Sequence, residues 1–354
     1  MTDAFDKILK NEETIFLNDV ALDFNFIPPV LLHRENQQAY IGNSIRLLEQ
    51  RRDGRNLFIF GSPGIGKTLA TKYVLRQVEE NSNEILPVYI NCWKHNTTYK
   101  IMLEICNLIN YKFTVDKSTQ DLLNDIRPIL NKKSLVICLD EIDKLDNHDI
   151  IYFILEELYK KTLILITNER LWLEELDRRI SSRLYAELLE FKDYNYEETF
   201  DILKKRSEYA FYPNVIDKEG LELISKKAFE LKDIRSGVYL LKESADLAES
   251  RSSKKINLDD VNNAIKKLQE FKIRSPSDIS KERNELLELV KENSGKASSE
   301  IFKIYNKDIS YRTFRRKLED LANSKLIGLE EKSIGAKGKV TYVYFGISKK
   351  LDEF

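Results

Sequence analysis

Eight residues constrain this chain more than any others: Gly61-Ser62-Pro63-Gly64-Ile65-Gly66-Lys67-Thr68, directly after the apolar run Leu57–Phe60 and before a helical run starting at Leu69. They fit the pattern G-x-x-x-x-G-K-[ST] between a strand and a helix. The glycines let backbone N–H groups turn inward around phosphate oxygens, a lysine reaches the β and γ oxygens, and the hydroxyl after it ligates Mg²⁺. On this reading Gly64, Ile65, Gly66, Lys67 and Thr68 hold a nucleotide, ATP or ADP, and Thr68 is a metal ligand. Three more short apolar runs, Val88–Asn91, Leu135–Leu139 and Leu163–Thr167, alternate with segments of helical character. Runs of that kind are strands buried on both faces, which predicts an α/β domain with a mostly parallel sheet.

The run Leu135–Leu139 ends in Asp140-Glu141-Ile142-Asp143. Acids at the end of a strand beside a phosphate loop suit a metal held by Asp140 and an attacking water polarised by Glu141, and so predict hydrolysis as well as binding. The run Leu163–Thr167 ends at Asn168, whose amide is placed to orient that water or to touch the terminal phosphate.

After Phe191 the strand signals stop. From Tyr196 to about Phe271 apolar residues recur at three- and four-residue spacing, as in Leu221, Ile224, Ala228 and Leu231, which predicts a separate helical domain. Arg274-Ser275-Pro276-Ser277-Asp278 interrupts it as a turn or linker. The expected organisation is residues 1–192 as the nucleotide-binding domain, 193–274 as a helical lid and 275–354 as a third domain.

Charge points to the partner of that third domain. The chain carries a net charge of −1, yet Ser280–Lys350 holds 16 Lys and Arg against 10 Asp and Glu, a surplus of six that leaves the remainder at −7. A basic end on an acidic body suits an anionic partner. The segment reads as a helix with Leu286, Leu287 and Val290, a short helix near Ser298–Tyr305, a turn at Asn306–Ile309 and a third helix from Tyr311 to Ser324. On the last, Phe314, Leu318 and Leu321 share one face while Arg312, Arg315 and Arg316 lie opposite, an arrangement suited to the major groove of double-stranded DNA. Strands at Ile327–Glu330 and Val340–Phe345 flank the glycine-rich, basic segment Gly335–Lys339, expected to form a wing in which Lys337 and Lys339 meet DNA.

Other classes are disfavoured. Hydrophobic residues at 42% and charged residues at 32% are globular values. No run approaches the roughly 20 apolar residues of a membrane helix, and the N-terminus carries acids where a signal peptide would be apolar, so a cytoplasmic, nucleoid-associated protein without a membrane partner is expected. Cys92, Cys106 and Cys138 are scattered among apolar residues and read as reduced core cysteines. His33, His95 and His148 lack metal-ligand spacing.

In order, these motifs resemble an AAA+ ATPase, and more narrowly the archaeal origin-recognition and cell-division-control replication initiators. The resemblance spans almost the whole chain. Ile27–Glu35 is similar to the family's segment that covers the adenine, and Tyr89-Ile90-Asn91-Cys92 followed by Thr98-Tyr99-Lys100 is similar to the stretch near its initiator-specific helical insertion. The resemblance makes Asn168 the sensor 1 residue and gives Leu176–Leu184 an arginine that enters a neighbouring subunit's site, Arg183 by preference and Arg179 as the alternative. It makes Tyr194 and Arg206 nucleotide contacts at the start of the lid, and Arg235 in Asp233-Ile234-Arg235 the sensor 2 arginine. Here Lys232 precedes that aspartate and Ser236-Gly237 follows the arginine, where the family has glycine before and small, alanine-rich residues after. The implied function is an ATP-dependent initiator that hydrolyses slowly, binds origin DNA, associates with copies of itself there and recruits or loads the replicative helicase. Two other readings of the same parts are a branch-migration type DNA motor and a P-loop regulatory switch whose winged helix docks protein.

Overall fold

The computed structural model describes residues 14–273, 285–305, 309–323, 326–333 and 339–345. Five strands form one sheet: β1 (Leu57–Gly61), β2 (Ile85–Asn91), β3 (Ser134–Asp140), β4 (Lys161–Thr167) and β5 (Glu187–Phe191). Their order is β2-β3-β4-β1-β5, and every pairing is parallel. Side chains alternate between the faces, so each strand feeds two cores. Phe58, Val88, Ile137 and Leu163 enter one, while Ile59, Val136, Cys138 and Ile164 enter the other. Helices α1 (Glu35–Ile45), α2 (Lys67–Asn81), α3 (Thr98–Leu108), α4 (Thr119–Leu130), α5 (Asp149–Glu157) and α6 (Arg178–Leu184) complete this part of the chain. All three cysteines are buried and free, as their apolar settings imply.

The parallel sheet expected from the four apolar runs is present, with a fifth strand the runs did not indicate. β5 alternates exposed and half-buried positions up to Phe191 because it is an edge strand, with one face of its backbone unpaired and less core to fill. The other edge, β2, starts three residues before its expected point and includes Pro87. A proline lacks a ladder donor and is tolerated at an edge.

Four helices follow: α7 (Tyr196–Ala210), α8 (Lys218–Glu230), α9 (Ile234–Ser250) and α10 (Leu258–Ile273). Side chains cap the first three. Asn195 and Glu198 form a reciprocal box at α7, Asp217 accepts from the Gly220 N–H at α8, and Asp233 accepts from the Arg235 N–H at α9. These caps fix where each helix begins. They therefore also fix where Arg206 and Arg235 project.

Contacts divide the chain into two compact units, Met1–Ile265 and Lys266–Phe354. In the second, a helical stretch α11 (residues 285–292), α12 (Ser298–Tyr305) and α13 (Tyr311–Asn323) pack with a three-stranded antiparallel sheet of β6 (Lys296–Ala297), β7 (Ile327–Ser333) and β8 (Lys339–Phe345), in the order β6-β8-β7. The expected helix–turn–helix core is found: Leu286, Val290, Ile301, Phe314, Leu318, Leu321, Ile327 and Val343 are all buried. The short β6 is an addition, two residues long and too brief for a periodicity to announce. The expected linker at 274–278, most of the turn at Asn306–Ile309 and the tip of the wing fall outside the described residues.

Phe314 is fully buried, and its ring lies 5.1 Å from Phe302 and 5.3 Å from Tyr305. Phe314→Ala should cost about 3–5 kcal/mol through lost burial and the cavity left behind. Amide hydrogen exchange on the intact protein should show protection falling in residues 285–345 while β1, β3 and β4 keep theirs.

Candidate functional site

The sheet register brings the carboxyl ends of β1, β3 and β4 together: Phe60 pairs with Thr167, and Asp140 with Ile166. In a parallel sheet this is where a ligand can meet residues from several strands. The phosphate loop leaves β1 with glycines in conformations that other residues avoid, at φ 147° for Gly61, 79° for Gly64 and 91° for Gly66. α2 then opens at Lys67, so its first N–H groups face the loop.

The Lys67 ammonium donates to the carbonyls of Gly61 (2.8 Å) and Ser62 (2.9 Å) and to Asn168 Oδ1 (2.8 Å). Burial pushes its pKa down to about 8, against the opposing pull of Glu141 and Asp140. Asn168 also donates through Nδ2 to Glu141 Oε2 at 3.3 Å, so one amide bridges the loop lysine and the acid after β3. Glu141 reverses the chain there with a left-handed backbone, φ 56°. Burial, then the charges of Asp140 and Asp143, raise its pKa above the ordinary carboxylate value.

Asp140 is 2% exposed. Its Oδ2 accepts from Thr68 Oγ1 at 2.7 Å and from Tyr89 Oη at 2.6 Å, and its Oδ1 from the Glu141 N–H at 2.9 Å. Burial and then the Asp140 charge push the Tyr89 phenol up, so it is protonated and donates. These groups line a cavity of about 420 Å³, within the range of small-ligand sites. Phe24, Pro28, Val30 and Leu31 add apolar lining, and the helical segment contributes Ile202, Arg206, Tyr209 and Arg235.

The residues present fit a nucleotide bound with a metal. The loop offers backbone donors and a buried cation that only carbonyl and amide oxygens meet, and Thr68 and Asp140 offer hard oxygens side by side. Among the described residues no three His, Cys, Asp or Glu gather as a complete metal site.

A family model for the Cdc6 AAA+ ATPase-type lid domain matches residues 200–266, and one for an AAA domain matches residues 50–173. ORC1-type DNA replication protein 1 of Sulfurisphaera tokodaii is 33% identical over 279 residues, covering 75% of this chain and 70% of that protein. The chain belongs to the ORC1-type DNA replication protein family. Its likeness to another member, ORC1-type DNA replication protein 1 of Sulfolobus acidocaldarius, is 28% and runs over 99% of this chain and 96% of that one. Two solved structures share the fold: the Aeropyrum pernix ORC1 protein in complex with DNA, at 24% identity and a TM-score of 0.70 over 95% of this chain and 94% of that one, and Pyrobaculum aerophilum Cdc6p, at 19% and 0.66 over 94% and 95%.

In this ORC1-type chain Lys67, Thr68, Asp140, Glu141, Asn168, Tyr194, Arg206 and Arg235 all line the one cavity, with Gly64 and Gly66. Ile65 turns inward to the core behind the loop instead. Arg183 and Arg179 do not line it. They sit on α6, where Arg183 pairs with Glu156 and donates to the Arg179 carbonyl at 2.9 Å, and Arg179 pairs with Asp177 at 3.1 Å. On α13, Arg312 and Arg316 are exposed and Arg315 lies 3.9 Å from Glu319. Lys337 lies outside the described residues, and Lys339 opens β8.

Sequence reasoning gave no role to Arg34 and Tyr89, although both stand in quoted segments. Arg34 is 4% exposed; its guanidinium donates to the Ile65 carbonyl at 3.1 Å and the Lys192 carbonyl at 2.7 Å and covers the Tyr194 ring at 3.8 Å. It ties the phosphate loop to the chain leading into the lid. A buried charge must find partners, and Arg34 finds them far along the sequence, so no local spacing betrays it.

The lysine that would meet phosphate starts near pKa 8, and a bound anion raises it, so above pH 8 binding takes up a proton. Affinity for ADP should therefore hold below pH 8 and fall by up to about tenfold per pH unit above it. Calorimetry at pH 7, 8 and 9 checks this. In Lys67→Ala the affinity should be weak throughout and lack the fall.

Proposed function

We propose that the chain is an ATP-dependent replication initiator that binds origin DNA and is reset by slow ATP hydrolysis. The observation that carries this reading is the joining, in one member of the ORC1-type family, of a complete phosphate site under a helical lid to a helix–turn–helix unit whose third helix presents arginines.

In this account the loop amides and Lys67 would hold the β and γ phosphates, and Thr68 and Asp140 would hold Mg²⁺. The metal, when bound, draws charge from the phosphoryl oxygens during transfer. Glu141 takes the proton of the attacking water at its carboxylate. Its raised pKa suits that role, because burial has made it a better base than an exposed glutamate. Asn168 fixes the Glu141 carboxylate through Nδ2 and the Lys67 ammonium through Oδ1, so base and phosphate clamp keep one spacing. Arg235 reaches the nucleotide from the lid, and Arg183 of a second copy completes the site in trans. Phe24, Pro28, Val30 and Leu31 would receive the adenine, Tyr194 lines the same cavity, and Arg206 holds the covering segment by donating to the Phe26 carbonyl at 3.3 Å.

The third helix enters the major groove with Arg312, Arg315 and Arg316, and the wing brings Lys337 and Lys339 to the backbone. Copies bound at an origin recruit the replicative helicase. A DNA-associated location follows; among the described residues no helix is long and apolar enough to cross a membrane.

Two experiments test the reading. Glu141→Gln should lower steady-state hydrolysis by about 100-fold or more while nucleotide still binds, since a carboxamide cannot accept the proton. Footprinting across the source genome should find one or a few protected loci, lost in Arg312→Ala/Arg315→Ala/Arg316→Ala. The slope of log affinity against log salt should shrink by about 0.9 for each arginine that meets phosphate. Salt-sensitive binding without preferred loci would refute the initiator assignment.

A further inference from the structure

Asp140 is a buried carboxylate whose direction matters, because a metal ligand a fraction of an ångström out of place binds poorly. Two of its three donors are local or expected: the next backbone N–H and the Thr68 hydroxyl, which can keep donating its proton while its lone pair faces a metal. The third is the Tyr89 hydroxyl at 2.6 Å, from a different strand.

The reach follows from the register. Tyr89 pairs with Cys138 across parallel strands, so their side chains share a face, and Asp140, two residues on, shares it too. A phenol spans that diagonal, whereas a serine or threonine would be too short. The ring is also held from above: Lys72, one helical turn after Thr68 on α2, places its ammonium 4.3 Å from the ring centroid. Sheet below and helix above leave the hydroxyl aimed at Asp140 Oδ2. Both Tyr89 and Lys72 border the cavity.

We propose that Tyr89 is a positioning residue for the metal: its hydroxyl locks the Asp140 carboxylate in the orientation that receives Mg²⁺ and thereby sets the Mg²⁺ concentration at which the nucleotide is held. The inference rests on the reading of Asp140 as the metal-holding acid. On this reading Tyr89 acts through Asp140. Removing its oxygen leaves the ring and its packing in place, frees one lone pair of Asp140 and lets the carboxylate rotate about the remaining donors.

The test is a titration of MgCl₂ against a fluorescent ribose-labelled ATP on intact wild type, Tyr89→Phe and Asp140→Asn, with affinity also measured in EDTA. Tyr89→Phe should raise the Mg²⁺ midpoint about tenfold, the lower end of what loss of a ligand-orienting partner costs, and leave EDTA affinity at the wild-type value. The Mg²⁺ needed for half-maximal turnover should rise in parallel. A midpoint equal to wild type overturns the inference. So does an equal loss with and without Mg²⁺, which would make Tyr89 a packing residue of β2. If wild type itself gains nothing from Mg²⁺, or Asp140→Asn responds as wild type does, the reading of Asp140 fails and the role of Tyr89 falls with it.

Discussion

A lysine ammonium held at the foot of a glycine loop by two carbonyls and one amide oxygen is the interaction around which the first unit is arranged. A buried cation needs oxygen partners, and here they come from the strand end, the loop and the neighbouring strand. The loop can supply its carbonyls because Gly61 and Gly66 bend it back, and β4 can supply Asn168 because the parallel register brings its end level with β1. Burial has already shifted this lysine, so the free site stores a group that gains from an arriving anion.

Most of the central sheet was legible in the sequence because β1, β3 and β4 are buried on both faces and leave unbroken apolar runs. The edges were less so. β5 fills only half a core and reads as alternating polarity, and β2 extends back through Pro87, which would argue against a strand anywhere but an edge. The site divides in the same way. Lys67 and Thr68 announce themselves by spacing within eight residues, and Asp140 by ending an apolar run. Tyr89 reaches an acid 51 residues away and Arg34 a carbonyl 31 residues away, and both contacts exist only once strands and loops have been assembled. Tyr89 shares a face with Asp140 only through the register that pairs it with Cys138.

The C-terminal unit shows how a small domain secures its third helix. α13 spends Phe314, Leu318 and Leu321 on the core, and the aromatic group of Phe302, Tyr305, Tyr311 and Phe314 packs one end of it against α12. With that face committed, the arginines stand on the remaining surface by helical geometry alone. The Tyr311 and Ser298 hydroxyls, 2.8 Å apart, add a polar tie where the two helices meet.

The lid approaches the phosphate loop at Gly64. A methyl group built on Gly64 would come within 2.1 Å of Asp233 Oδ1, the same carboxylate that caps α9, and Lys232 beside it pairs with Asp193 at 3.1 Å. The missing side chain at Gly64 therefore does more than permit a turn. It leaves a notch into which the lid seats, so the loop and the lid meet like a pawl and a ratchet tooth. A larger residue at that position would act as a wedge between loop and lid, besides straining a backbone held at φ 79°.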